Sequence, residues 1–199
     1  MKPLLFTFDI FGTVVDWRKG LGEGDFDRTV DVQGDLEQQR FRPYTEIVAE
    51  SLVRVRRLDA ITAAGIAANV GNWPLFADSR EALRRLRRVA PCAATTNSDR
   101  AHGEQVQAQL GFALDGWICA EEVRAYKPDR RIWETASRKL GRPFDRAWWH
   151  VSAYADYDLR TARELRLTAV FVQRPHSRSG PADVTVPDLA ALADLVETG

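Results

Sequence analysis

The sequence has few of the residues that would indicate a secreted, metal-binding or membrane-spanning protein. Its two cysteines, Cys92 and Cys119, lie in apolar stretches and are too few for a disulfide framework. The three histidines are scattered, without the spacing of metal ligands. No run of about 18 apolar residues is present, and the N-terminal residues reach Asp9 before an apolar signal core could form. These absences predict a cytoplasmic protein that holds no metal and does not enter a membrane.

The charge of the chain is balanced. Lysine plus arginine and aspartate plus glutamate each count 28, so the formal net charge is zero. A balanced charge provides no global field for nucleic acid or an anionic membrane, and neither is expected as a partner. An anionic small-molecule substrate would have to be bound by cations placed locally.

The order of apolar and amphipathic segments predicts an α/β fold. Short apolar segments predict strands at residues 4–8, 91–95, 116–120, 147–151 and 168–172. Amphipathic segments predict helices at residues 79–89, 100–110, 129–140, 156–165 and from 187 onward. Strands that alternate with helices favour a parallel sheet with helices on both faces.

The segment after the first strand lacks this alternation. Residues 18–35 are polar and glycine-rich, which predicts a loop or an irregular start to an insertion. An apolar stripe predicts a helix from Asp35 to about Arg57, and alanine-rich residues predict another at about 59–70. We therefore predict a helical cap inserted into one core domain, the cap at residues 16–75 and the core at residues 1–15 and 76–199.

Polar motifs follow four of the predicted strands, at the sheet edge where parallel α/β proteins bind ligands. Phe8–Thr13 offers the carboxylate of Asp9, and Thr95–Ser98 offers hydroxyl and amide groups. Tyr126–Asp129 offers the ammonium group of Lys127, and His150–Leu159 offers an acid that opens a helix, Asp158. Taken singly, each motif is also explained by a helix cap, a turn or a solvated side chain.

Together, the four motifs resemble those of the haloacid dehalogenase-like superfamily, and the resemblance covers nearly the whole chain. Lys127-Pro128-Asp129 is a specific match. The resemblance implies a three-layer, Rossmann-like core with an open parallel sheet and a small helical cap inserted after the first strand. It implies that Asp9 is the nucleophile and that Thr96 supplies the hydroxyl group of the second motif. It also implies that Lys127 is the cation that balances charge and that Asp158 is the acid of the fourth motif.

Two positions favour one branch of this superfamily. The phosphatases need a second aspartate two residues after the nucleophile, to protonate the leaving group, but this chain has Phe11 there. They also have a Gly-Asp pair that helps to hold Mg²⁺, where this chain has Ser152-Ala153. The chain therefore resembles the metal-free L-2-haloacid dehalogenases (type II), since a halide is a good leaving group that needs neither an acid nor a metal.

This resemblance implies hydrolytic dehalogenation of short 2-haloalkanoic acids to 2-hydroxy acids, through an ester on Asp9 and without a cofactor. Ser152 is expected to place the hydrolytic water with Asp158. The carboxylate or halide of the substrate is expected to contact Thr13, Thr96 and Asn97, and its carbon chain to contact Phe11 and Trp133.

The chain departs from the dehalogenase pattern in the cap. Those enzymes bind the substrate or halide with an arginine early in the cap, but Gln38 stands at or near that position. Arg40 is the expected anion-binding residue and Arg42 the second choice; alternatively, both are solvated. Trp133 stands where the dehalogenases have a tyrosine, and it either lines the pocket or packs in the core.

The fourth motif is one residue longer than in the best-matching dehalogenases, which is closer to the phosphatase spacing. Two alternatives therefore stay open at this point. One is a Mg²⁺-dependent phosphatase acting on a small phosphorylated metabolite, with the metal held by Asp9 and Asp158. The other is a non-catalytic binding protein with the same fold. A homodimer is expected from the resemblance alone.

Overall fold

In the computed structural model, which describes residues 2–22 and 24–198, six parallel strands form one open sheet. Their spatial order is β3-β2-β1-β4-β5-β6. The strands are β1 (Leu5–Phe8), β2 (Cys92–Thr96), β3 (Gly116–Cys119), β4 (Trp148–Ser152), β5 (Thr168–Val172) and β6 (Val184–Val186). The chain runs outward from β1 in both directions, so the switch point of the topology lies at the centre of the sheet. The predicted open parallel sheet is confirmed.

The strand register places the polar motifs at one edge of the sheet. Phe8 pairs with Ala94 on one side and with Val151 on the other. The backbone N–H of Asp9 continues this ladder by donating to the carbonyl oxygen of Val151 at 2.9 Å. Every residue of β1 and β4 is buried, as expected for parallel strands that are covered on both faces. Polar residues that directly follow these strands therefore emerge from the buried sheet at its carboxyl edge.

Helices dominate the segment between β1 and β2. The first four are α1 (Trp17–Leu21), α2 (Phe26–Glu37), α3 (Tyr44–Arg56) and α4 (Ala60–Ala67), followed by a short 3-10 helix (Val70–Asn72). The helices that cover the sheet are α5 (Ser79–Val89), α6 (Arg100–Leu110), α7 (Ala120–Val123), α8 (Arg131–Leu140), α9 (Asp158–Glu164) and α10 (Leu189–Thr198). None of the helices in the described part of the chain has the length and apolar character needed to cross a membrane.

Two expectations for the inserted segment are wrong. The loop expected at residues 18–35 contains most of α2, because its buried side chains recur at helical spacing even though several of them are polar. The single helix expected from Asp35 to Arg57 is interrupted at residues 38–43. Pro43 precedes α3 directly, where its ring cannot continue a helix from the preceding turn. The division into a cap at residues 16–75 and a core stays a prediction.

One carboxylate joins α3, in the segment between β1 and β2, to the residues that follow β2. Asp99, just before α6, accepts hydrogen bonds at 2.8 Å from the backbone N–H groups of Tyr44 and Thr45 at the start of α3. Negative charge is favourable at a helix N-terminus. This contact fixes the start of α3, and with it the Tyr44 side chain, near the carboxyl edge of the sheet.

Candidate functional site

Two carboxylates and one ammonium group meet at the carboxyl edge of the sheet. Asp9 follows β1, Asp158 begins α9, and Lys127 lies between α7 and α8. Lys127 Nζ is 2.9 Å from Asp9 Oδ1 and 2.7 Å from Asp158 Oδ2. The side chains of Lys127 and Asp158 are fully shielded from solvent, and that of Asp9 is 6% exposed. The lysine therefore lies between two buried acids and balances one of their two charges.

The remaining carboxylate oxygens of this trio also accept hydrogen bonds. Thr13 Oγ1 donates to Asp9 Oδ2 at 2.7 Å, and the backbone N–H of Ala153 donates to Thr13 Oγ1 at 2.9 Å. The fourth oxygen, Asp158 Oδ1, is 3.0 Å from His150 Nε2. Thr13 thus connects the first motif to the fourth and holds Asp9 in one orientation.

A glycine allows this close approach of the two motifs. Gly12 has a φ of +96°, a backbone conformation that residues other than glycine rarely adopt. A Cβ atom at this position would lie 2.3 Å from the Tyr154 hydroxyl oxygen. Gly12 therefore both completes the turn after Asp9 and leaves room for Tyr154.

The two acids of the trio differ in their electrostatic surroundings. Burial raises the pKa of Asp9, and the charge of Asp158 adds to this increase, although Lys127 opposes it. Burial acts on Asp158 in the same direction, but Lys127 and His150 outweigh it and hold the pKa of Asp158 well below its usual range. Burial disfavours the ammonium form of Lys127, yet the two carboxylates raise its pKa. Asp158 is therefore the permanently ionised partner, and Asp9 is the more basic carboxylate.

His150 was not assigned a role from the sequence. With its proton on Nε2, it donates to Asp158 and accepts at Nδ1 from Thr7 Oγ1, which is 2.9 Å away. Trp148 Nε1 donates to the same Thr7 oxygen at 2.8 Å. These partners lie on neighbouring strands, so only the presence of a histidine within a buried strand could have indicated the chain of hydrogen bonds.

Asp9 lines a cavity of about 600 Å³. Six aromatic side chains line it with Asp9: Phe11, Trp17, Tyr44, Tyr126, Tyr154 and Tyr157. A cavity that combines aromatic walls with placed polar groups is typical of a small-molecule site. The nucleophile predicted from the sequence is thus accessible to a small ligand but mostly removed from bulk water.

The predicted second-motif residues, Thr96 and Asn97, also line the cavity. The backbone N–H of Lys127 donates to Asn97 Oδ1 at 2.7 Å, so the second motif is held against the third. The Thr96 hydroxyl donates to Ser98 Oγ at 3.3 Å. The structure therefore brings Thr96 and Asn97 to the same cavity as Asp9, Phe11 and Lys127.

Glu37, at the end of α2, is a cavity residue that the sequence did not indicate. It accepts a hydrogen bond from Asn97 Nδ2 at 3.0 Å. Burial raises its pKa to about 8, even though the Asn97 hydrogen bond and the charge of Lys127 lower it. The segment was expected to bring an arginine to the cavity and brings a carboxyl group instead.

Five residues expected at the site do not line this cavity. Thr13 and Asp158 contact Asp9 and Lys127 directly, and the other three are Arg40, Trp133 and Ser152. Arg40 is exposed, because α2 ends at Glu37 and Arg40 lies in the turn that follows. Trp133 is fully buried and packs edge-on against His150, with 5.6 Å between ring centroids, so it belongs to the core. Ser152 is also fully buried, and its Oγ accepts a hydrogen bond from the backbone N–H of Tyr154 at 3.1 Å.

The second-choice arginine, Arg42, has a partner of its own. Its Nη1 is 2.6 Å from Glu50 Oε2 on α3, and it does not line the cavity. Between residues 2 and 198, leaving out Glu23, no group of three or more His, Cys, Asp or Glu side chains is arranged to hold a metal ion.

Comparison with known proteins identifies relatives by sequence. Residues 4–149 match the model of a family described as haloacid dehalogenase-like hydrolase. The (S)-2-haloacid dehalogenase of Pseudomonas fluorescens is 34% identical over 71 residues, which are 34% of this chain and 31% of that protein. The matched stretch therefore spans less than a third of that relative's length.

Solved structures share the fold along nearly the whole chain. The L-2-haloacid dehalogenase PA0810 has a TM-score of 0.84 at 23% identity, over 98% of this chain and 99% of that chain. The L-2-haloacid dehalogenase of Xanthobacter autotrophicus, solved with chloropropionic acid covalently bound, has a TM-score of 0.81 at 16% identity, over 98% of both chains. At these identities the likeness shows the fold alone. Because the family model matches more than half of the sequence, the chain belongs to the haloacid dehalogenase-like hydrolases.

Proposed function

We propose that the protein is a 2-haloacid dehalogenase, which hydrolyses short 2-haloalkanoic acids to 2-hydroxy acids without a metal or cofactor. The observation that carries the proposal is the placement of Asp9. It is a buried carboxylate held by Lys127 and Thr13, and it faces a cavity in which Phe11 stands where a phosphatase has its acid. The names of the relatives, which are haloacid dehalogenases, support the same activity.

In the first step, an Asp9 oxygen attacks the carbon that bears the halogen. A carbon–oxygen bond forms as the carbon–halogen bond breaks, the halide leaves with the bonding electrons, and the carbon is inverted. Lys127 keeps Asp9 ionised for this attack, because an opposite charge at 2.9 Å favours the carboxylate. The aromatic walls limit competition from water for the nucleophile. The covalent chloropropionate in the Xanthobacter relative supports an ester intermediate.

In the second step, water attacks the ester carbonyl of Asp9. The bond between that carbonyl carbon and the oxygen that attacked in the first step breaks. This releases the 2-hydroxy acid and one proton, and it leaves an Asp9 carboxylate that carries one oxygen from water. Asp158 orients Lys127 through the 2.7 Å contact between Oδ2 and Nζ. The roles of Thr96 and Asn97 in binding the departing halide are part of the proposal. Ser152, which is buried and does not line the cavity, has no part in it.

The contacts of the carboxylates also support chemistry without a metal. The rival phosphatase would hold Mg²⁺ between Asp9 and Asp158, but the ammonium group of Lys127 lies between these two side chains. The other oxygen of each acid accepts a hydrogen bond from Thr13 or His150. A metal bound by these oxygens would therefore compete with donors that are already within hydrogen-bond distance.

Halide release tests the proposal against the rival. We expect halide from monochloroacetate and from L-2-chloropropionate, at the same rate with EDTA as with Mg²⁺, and no phosphate from an aryl phosphate. The Asp9→Asn variant should release no halide. Phosphate release that requires Mg²⁺, in the absence of halide release, would replace the proposed function with phosphoryl transfer.

A further inference from the structure

A 2-haloacid brings a carboxylate into a cavity that already holds several acids. Besides Asp9, the cavity is lined by the carboxyl groups of Glu37, Asp129 and Asp156. Lys127 cannot readily serve the substrate, because its ammonium group is fully buried between Asp9 and Asp158. A second cation that lines the cavity would favour binding of the substrate carboxylate.

Among the described residues that line the cavity, Arg178 is the other cation. It lies after β5, but its backbone is fixed to the loop that follows β4. The N–H of Arg178 donates to the carbonyl oxygen of Ala153 at 2.9 Å, and the N–H of Ala155 donates to the carbonyl oxygen of Arg178 at 2.8 Å. Arg178 is thus held directly beside Tyr154 of the fourth motif.

The present partner of Arg178 is weak. Arg178 Nη2 lies 3.1 Å from Asp31 Oδ1 on α2, and the two side chains are 45% and 69% exposed. An ion pair between side chains this exposed contributes little, since water screens it. The guanidinium can therefore exchange Asp31 for the carboxylate of a ligand, which it can bind through two parallel N–H groups.

Two buried donors in the cavity wall lack partners. The Tyr154 hydroxyl and Trp17 Nε1 make no well-aligned hydrogen bond among the described residues, although the Trp17 side chain lies near enough to the Tyr154 hydroxyl to act on its pKa. Both side chains are nine-tenths or more buried. Both residues line the cavity, and their rings pack edge to face with centroids 6.2 Å apart. A buried polar group without a partner costs free energy, so a ligand oxygen at this wall would satisfy both donors.

We propose that Arg178 binds the carboxylate of the substrate, with the Tyr154 hydroxyl and the Trp17 indole N–H completing the anion site. This inference rests on the proposed function and names the feature of the substrate that the cavity selects. A haloacid is held at the Arg178 wall with its halogenated carbon toward Asp9. A neutral haloamide of the same size lacks the charge for this contact.

Binding of propionate, which has no halogen, tests the inference by isothermal titration calorimetry. We expect Arg178→Gln to weaken binding about tenfold or more and Arg178→Lys to weaken it less, because lysine keeps the charge but loses the paired contact. Asp31→Asn should bind propionate as tightly as the wild type or more tightly. The matched control is Arg160→Gln, an exposed arginine on α9 outside the cavity, which should leave the affinity unchanged. Circular dichroism establishes that each variant is folded.

The inference is overturned if the wild type does not bind propionate, or if a folded Arg178→Gln variant binds it as tightly as the wild type. Loss of binding in Arg40→Gln, with binding retained in Arg178→Gln, would instead favour Arg40 as the anion-binding residue, as expected from the sequence. If the protein binds propionate through Arg178 but releases no halide, only the proposed dehalogenase function is contradicted. If it releases halide and Arg178→Gln has an unchanged KM, only the proposed carboxylate binding by Arg178 is contradicted.

Discussion

The Glu37 carboxyl group accepts a hydrogen bond from Asn97 Nδ2 at 3.0 Å, while Asn97 Oδ1 accepts one from the backbone N–H of Lys127 at 2.7 Å. The end of α2 is therefore connected, through one amide side chain, to the residue that carries the central ammonium group. Because burial raises the pKa of Glu37 to about 8, this carboxyl group is mostly protonated at neutral pH and adds little negative charge to the cavity.

The first prediction concerns the pH dependence of substrate binding. As pH rises through about 8, Glu37 ionises and adds a negative charge near Asp9, so KM for a 2-haloacid should increase. Lys127 and Asp9 are the other charged groups that act on it. The nearby tyrosines do not titrate in this range, because burial raises their pKa values further above 10. Steady-state kinetics from pH 6 to pH 9.5 measure the effect.

The matched variant is Glu37→Gln, which keeps the hydrogen-bonding shape and cannot ionise. Its KM should stay flat across the same pH range. An increase in KM as steep as that of the wild type would assign the titration to another group.

The second prediction concerns stability. A carboxyl group whose pKa is higher in the folded state than in the unfolded state binds more protons when folded, so its contribution to stability is lost as pH rises. For Glu37 the window runs from the ordinary value of 4.5 to about 8. Across this pH window, the free energy of unfolding of the wild type should fall as pH rises. In Glu37→Gln it should fall less steeply, and urea unfolding measures both slopes. Identical slopes for the two proteins would contradict the assignment.

Removal of the central ammonium group gives the third prediction. Lys127→Met leaves Asp9 and Asp158 buried together without a cation, which typically costs about 3–5 kcal/mol. Urea unfolding should show this loss, and halide release should fall to background. Lys139→Met is the control, because Lys139 is half exposed and pairs with Glu122 at the surface, where a pair contributes about 0–1 kcal/mol. Equal losses in both variants would argue against a buried trio.

The fourth prediction separates the two interpretations of Trp133. If it packs in the core, as its burial and its contact with His150 indicate, Trp133→Ala should lower stability by about 3–5 kcal/mol. The KM of the protein that remains folded should change little. An increased KM with stability unchanged would place the side chain in the substrate site instead.

The sequence predicted the parts of the site that depend on local order. An acid directly after a buried strand must emerge at the edge of a parallel sheet, so Asp9 could be located from the residues around it. Thr96 and Asn97 follow from the same rule, whereas Asp158 was indicated by the resemblance of the fourth motif to that of the superfamily. The parallel sheet itself followed from alternating strands and helices, except for β6, which has three residues and a single buried one.

The parts that depend on distant contacts could not be predicted. Glu37 was missed because α2 carries buried polar residues such as Gln33, whose amide bonds to Ser51 and accepts from the Tyr44 hydroxyl. Its helical face therefore does not look apolar in the sequence. Arg178 reaches the cavity only through backbone pairing with the loop after β4. The cytoplasmic location and the homodimer stay predictions.

A single turnover in H₂¹⁸O shows whether Asp9 forms an ester that water then hydrolyses. With enzyme in excess over L-2-chloropropionate, we expect ¹⁸O to enter the peptide that contains Asp9 and the lactate to carry no label from solvent. Mass spectrometry of the digested protein and of the product measures both. Label in the lactate, with an unlabelled Asp9 peptide, would mean that water attacks the substrate directly and that no ester forms on Asp9.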